Sequence, residues 1–182
     1  MPDSSVYRSP ISRARLVSPI TPATVSLAPS APAIALMTDL ATEVPHVVTL
    51  DRPIDAALQD MIAFGVRLLL VVRDGEVVGI ITSYDIMGER PLQVLQDPFH
   101  SDKAHRHTDV RVEDIMTTID DAHPLRYRWV RDATAGEVAA LFRARPDTHL
   151  LVVEDGRHPG EVVVRGIFSR SRLDRQLGPV PR

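Results

Sequence analysis

The chain has 182 residues, enough to bury one sizeable core or two small ones that share an interface. With 44% hydrophobic and 25% charged residues it is an ordinary globular composition, and a net charge of -3 supplies no global field toward nucleic acid or an anionic membrane. The absence of cysteine excludes a disulfide framework, a thiolate metal site and a cysteine nucleophile, and no apolar run approaches the roughly 20 residues that span a bilayer.

Residues 1–34 are rich in Pro, Ser, Thr and Ala and have no helical or strand period, so they are expected to form an extended arm. Pro10, Pro19, Pro22, Pro29 and Pro32 break every apolar stretch there, which argues against a signal peptide. The arm either has no specific role or packs across a partner subunit. The basic side chains are almost all Arg, with Lys103 the single lysine.

A first unit is expected over 35–96. Val47 to Leu50 reads as an aliphatic strand, and Asp51-Arg52-Pro53 as a helix opening with a capping carboxylate. Ile54, Ala57, Leu58, Met61 and Ile62 form one apolar helical face, ended by Gly65. Leu68 to Val72 reads as a buried strand, Asp74-Gly75 as a tight hairpin, Glu76 to Ile81 as the returning strand and Thr82 as the cap of a second helix. The first two strands should be parallel through a right-handed crossover, and the last pair antiparallel. Pro91 to Gln96 reads as a short helix, and 97–111 as a polar linker.

The same order recurs over 112–177. Asp51 to Gly75 aligns with Asp132 to Gly156 without a gap, and Gly79 to Ile86 with Gly166 to Leu173 after six inserted residues near Arg157 to Gly160. A repeat of about eighty residues is too long for a solenoid unit and suits a small domain used twice. Arg128 to Arg131 is expected as the first strand, then a helical face of Ala135, Val138, Ala139 and Phe142. Leu150 to Val153 and Val162 to Phe168 follow as strands, with Ser169 capping the last helix. Residues 178–182, with Gly178, Pro179 and Pro181, should fray. The expected fold class is α/β in the mixed α+β sense: two β-α-β-β-α units packed with pseudo-two-fold symmetry.

Gly79-Ile80-Ile81-Thr82-Ser83-Tyr84-Asp85 carries the most chemistry. Thr82 and Ser83 place hydroxyls and free N–H groups at a helix N-terminus, which suits an anion. The Asp85 carboxylate can accept two hydroxyls of a sugar diol. Thr82-x-x-Asp85 is equally close to a capping box, in which the two residues satisfy each other's backbone donors.

These units resemble a tandem pair of cystathionine β-synthase (CBS) domains over residues 36–177. The resemblance rests on Leu36-Met37-Thr38 and Asp114-Ile115-Met116-Thr117 ahead of each unit, the aliphatic run with Asp-Gly, and Gly-Ile-Ile-Thr-x-x-Asp. Leu70 and Leu151 stand where that family usually has a proline. The resemblance implies adenosine-derivative binding in clefts between the units. Asp85 would hold the ribose hydroxyls, with Thr82 and Ser83 toward the phosphates. Backbone at Val47 and Val48, beside Gly79, Ile80 and Leu70, would receive the adenine. The second cleft departs from the pattern: Ser169-Arg170-Ser171-Arg172 keeps the hydroxyl but puts Arg172 where the carboxylate should be. Arg170 and Arg172 face solvent, an intersubunit carboxylate or a nucleotide phosphate.

The expectation is a non-catalytic, cytoplasmic regulatory module. It requires no cofactor, with AMP, ADP or ATP as the candidate regulatory ligand at one site per chain. The rival is a structural dimerisation or docking module with degenerate sites. A homodimer pairing through the helices that begin at Asp51 and Asp132 is expected, with an unidentified regulated protein as a further partner and neither nucleic acid nor membrane as one. His100, His105 and His107 read as part of a solvated linker rather than a metal site. Tyr127, Trp129 and Phe142 read as core or dimer packing, and Arg165, Arg170, Arg172 and Arg175 as too short a cluster for nucleic acid.

Overall fold

The computed structural model describes residues 27–96, 106–158 and 161–177. A 3-10 turn at Ala33–Leu36 leads into β1 (Thr38–Asp39). The first repeat then runs β2 (Val47–Thr49), α1 (Ile54–Phe64), β3 (Leu68–Arg73), β4 (Glu76–Thr82), α2 (Ser83–Met87) and α3 (Arg90–Gln96). Beyond the linker, α4 (Val112–Ile115) and β5 (Thr117–Thr118) lead into the second repeat. That repeat comprises β6 (Leu125–Arg126), α5 (Tyr127–Asp132), α6 (Ala135–Ala144), β7 (His149–Asp155), β8 (Val162–Ser169) and α7 (Arg170–Leu177). The polar linker expected over 97–111 lies largely outside the described residues, as do nearly all of the N-terminal arm and the C-terminal tail.

The mixed α+β class and the pairing pattern are as expected. β2 pairs parallel with β3, which pairs antiparallel with β4; β6, β7 and β8 repeat this. Asp74 and Gly75 both have positive φ, as a two-residue hairpin turn requires. A bulge falls between Val71 and Val72 and again between Val152 and Val153, the corresponding positions of the two repeats.

Each sheet is completed by a strand from in front of the other unit. β1 pairs antiparallel with β8, and β5 with β4, giving sheet orders β2-β3-β4-β5 and β1-β8-β7-β6. The exchange extends into the cores. Ala33, Leu36 and Met37 pack among Val138, Phe142 and Phe168 of the second unit, whereas Val110, Val112 and Ile115 pack among Ile54, Met61 and Ile81 of the first. Arg165 of β8 locks one crossing: it pairs with Asp39 of β1 and lies over the Tyr127 ring at 4.9 Å. A third apolar layer, Leu68, Leu70, Ile80 and Leu151, lies where the two sheets meet.

Three local expectations need correction. Asp51 does not cap α1. Its carboxylate accepts the Thr49 hydroxyl at 2.6 Å, and Pro53, which has no capping side chain, occupies the N-cap. Ile62 leaves the buried face and is 65% exposed, because the face formed by Ile54, Ala57 and Met61 has rotated past it. Arg128–Arg131 is not a strand but lies within α5. Burial there falls on Val130 alone, with Tyr127 half-buried one turn earlier, a helical rather than an alternating spacing.

Gly79 and Gly166 make the exchange sterically possible. A Cβ at Gly79 would lie 2.5 Å from the Thr117 carbonyl oxygen, and one at Gly166 would lie 2.8 Å from that of Thr38. Main chain cannot retreat as a flexible side chain can. Gly79→Ala is therefore expected to lose about 1–3 kcal/mol in urea unfolding. Gly156→Ala, whose Cβ meets only the Glu161 side chain, should stay within about 0.5 kcal/mol of the native chain.

Candidate functional site

Exchange of β1 and β5 makes two composite clefts. The hydroxyl turn of one unit forms one wall of each, and the segment leading into the other unit's sheet forms the opposite wall.

The first cleft has a volume of about 250 Å³ and brings Ile80, Thr82 and Asp85 against Thr117, Thr148 and His149. Thr82 ends β4 and caps α2. Asp85 Oδ2 accepts from the Thr82 N–H at 2.9 Å and from its hydroxyl at 2.6 Å, while the Asp85 N–H donates to Thr82 Oγ1 at 3.3 Å. The capping box is therefore formed, and it fixes the carboxylate at the cleft. Oδ1 is turned to Arg90 at 3.2 Å, and that guanidinium also donates to the Ile115 carbonyl at 2.7 Å and to Thr117 Oγ1 at 3.0 Å.

The sequence reading set Val47, Val48 and Leu70 on the wall of this cleft, and the structure sets them elsewhere. Val48 is buried in the helix-facing core of its own unit, Val47 is half exposed, and Leu70 lines the other cleft. The physical reason is the strand exchange: β5, not β2, lies beside β4. Ser83 is buried, its N–H donating to the Arg67 carbonyl at 3.0 Å. Gly79 touches the exchanged strand rather than the cavity.

The second cleft, about 730 Å³, is lined by Ser169 and Arg172 and, across from them, by Thr38, Leu40 and His46. Arg172 Nη1 donates to Thr38 Oγ1 at 3.0 Å. Arg170 is not at the cleft. Its guanidinium donates to the carbonyls of Arg145 and Asp147, each at 2.7 Å, and lies 5.2 Å from the Phe142 ring centre, closing the C-terminal end of α6. Carbonyls of the loop between α6 and β7 thus use the charge that a phosphate or solvent was expected to use.

His149 was missed by sequence reasoning, because a lone histidine opening an aliphatic strand carries no signal of its own. It lines both clefts, with its Nδ1 3.0 Å from Thr148 Oγ1. Burial pushes its pKa down to about 4; Asp85 pulls it back up and Arg67 pushes it further down. His107 Nδ1 lies 3.1 Å from Asp55 Oδ1, whereas His100 and His105 lie outside the described residues. Among the described residues no group of three or more metal-ligating side chains occurs, and no helix is long and apolar enough to cross a membrane.

With this geometry in view, residues 37–91 match the family model of the CBS domain. The fold recurs in an uncharacterized conserved protein from Pyrococcus horikoshii, with 25% identity over 86% of this chain and 98% of that one and a TM-score of 0.57. It recurs in the CBS domain protein NE2398, with 26% identity over 73% and 87% and a TM-score of 0.52. It recurs again in CBSX2 of Arabidopsis thaliana, solved in complex with AMP, with 24% identity over 80% and 94% and a TM-score of 0.53. No curated protein matches the sequence. The chain has the fold of a CBS-domain pair, and the family model matches residues 37–91 of it.

The half-buried position of His149 has a pH consequence. Between pH 6.5 and about 4 the unfolded chain binds a proton that the folded chain excludes, so stability contributed by neutral His149 is present above pH 6.5 and is lost as pH falls through that window. In thermal unfolding at pH 7.5 and 4.5, the native chain should lose a few degrees more than His149→Gln, about 2–5 °C.

Proposed function

We propose that this CBS-domain pair is a non-catalytic regulatory module that binds an adenine nucleotide or adenosine derivative in the cleft beside Asp85. The observation that carries this reading is the placement of the Asp85 carboxylate at a cleft between the two units, oriented by Thr82. A carboxylate fixed in this way offers Oδ1 as an acceptor to a ribose diol, in competition with Arg90. The AMP complex of a protein with the same fold supports the choice of ligand class.

Arg90 gives the module a route to a response. It joins Asp85 to the Ile115 carbonyl and the Thr117 hydroxyl, at the start of the exchanged strand. A diol on Asp85 would compete with this contact and loosen or retighten the crossing. Such a shift requires the ligand to bind one arrangement of the units better than the other.

The second reading, a docking module with unused clefts, is favoured by the exposed Ile62 and Phe64 on α1, which would suit pairing with a second copy. Titration calorimetry with AMP, ADP and ATP separates the two. One nucleotide per chain is expected, weakened about tenfold or more by Asp85→Ala. No heat with any of the three, or an Asp85→Ala variant that binds as the native chain does, would favour the docking reading.

A further inference from the structure

Arg90 stands between two hollows. On one side is the Asp85 cleft; on the other is a hollow of about 380 Å³ lined by Gln93, Val94, Asp114, Met116 and Asp121. Arg90 and Thr117 line both. Arg90 opens α3, and its Nη1 holds Asp85 Oδ1 at 3.2 Å, the Thr117 hydroxyl at 3.0 Å and the Ile115 carbonyl at 2.7 Å. Ile115 lines the second hollow and not the first, so the guanidinium already touches the rim of the second.

Two carboxylates lie in that second hollow. Asp114 Oδ2 accepts the Arg111 N–H at 2.8 Å, and Asp121 Oδ2 accepts the Thr118 hydroxyl at 2.7 Å. These bonds leave Oδ1 of each as an unused acceptor, and no ion pair engages either carboxylate among the described residues. Arg90 is the one cation among the residues that line the hollow. Setting Met37-Thr38 on Met116-Thr117 shows that the arrangement belongs to this crossing alone. Asp114 and Asp121 fall on Ala35 and Thr42, Asp85 falls on Arg172, and Arg90 falls on Leu177. All four charged groups are present at one crossing and missing or reversed at the other. The scaffold does not require them, since β1 pairs with β8 as β5 pairs with β4.

We propose that Arg90 is a two-position latch; this rests on the reading that a ligand engages Asp85. With the cleft empty, the guanidinium holds Asp85 and Thr117. A diol that takes Asp85 Oδ1 displaces it. It then pivots about the Ile115 carbonyl into the second hollow, where Asp114 and Asp121 receive it. The displaced cation is not stranded, because one carboxylate partner is exchanged for two. The move unties Thr117, at the start of β5, and ties α3 to α4 and to the turn after β5. A ligand in the cleft thereby changes what holds the crossing strand.

The test starts without a ligand, in a crystal structure of full-chain Asp85→Asn. The amide keeps an oxygen for Thr82 but no longer attracts a cation. The Arg90 guanidinium is expected at hydrogen-bond distance from Asp114 or Asp121; one still seated on Thr117, or turned to solvent, overturns the proposal. The second arm is calorimetric titration with AMP. Asp114→Asn combined with Asp121→Asn should weaken AMP about threefold, because the displaced guanidinium loses its seat. Plain removal of two negative charges would instead favour an anionic nucleotide, so the direction identifies the latch. In Arg90→Gln the same pair of substitutions should not weaken AMP. No weakening in the native chain, or equal weakening in Arg90→Gln, would also overturn it. Failure of AMP to bind the native chain removes the nucleotide reading alone, and the Asp85→Asn structure still decides the latch.

Discussion

The close main-chain crossing of β5 over Gly79 and of β1 over Gly166 is the constraint on which the rest of the molecule depends. Both crossings bring a threonine carbonyl to within a distance that no Cβ tolerates. Neither sheet is complete without the strand that precedes the other unit, and each helical core borrows apolar residues from the same segment. The units therefore cannot be regarded as two beads on a string. Each crossing joins the sheet of one unit to the entry segment of the other.

The crossings also make the clefts. Because β5 lies beside β4, the turn at Thr82 and Asp85 faces Thr117 and the start of β7; because β1 lies beside β8, the turn at Ser169 and Arg172 faces Thr38 and the start of β3. The frame is symmetric and its contents are not. In one cleft a carboxylate is fixed by a capping box and tied to Arg90, whereas in the other a guanidinium at the matching position reaches the matching threonine. The two repeats share the scaffold and carry opposite charge at the matching position. His149, neutral and half-buried, separates the two.

Much of the fold was legible because its signals are local. The aliphatic runs at Leu68 to Val72 and Leu150 to Val153, the Asp-Gly hairpin and the face of Ala135, Val138, Ala139 and Phe142 depend on neighbours a few residues away, and the structure keeps them all. The misreadings fall where a residue had a choice of partner. Asp51 found Thr49 before it could reach a helix N-terminus, and Arg128 to Arg131 form a helical turn around a single buried valine. Thr82-x-x-Asp85 was legible as a cap or a site; the cap is formed, with its bonds on Oδ2, and Oδ1 is turned to Arg90.

Reading the residues alone is enough to find that one supersecondary unit is used twice, that the hydroxyl turns recur, and that Asp85 and Arg172 occupy matching positions. These follow from short-range periodicity and from direct comparison of the two repeats. Which segments face each turn emerges from the folded chain. That depends on pairing between β1 and β8 and between β4 and β5, contacts across more than a hundred residues in the first case, and no local spacing encodes a partner so distant. The walls of both clefts and the position of His149 between them follow from that long-range choice.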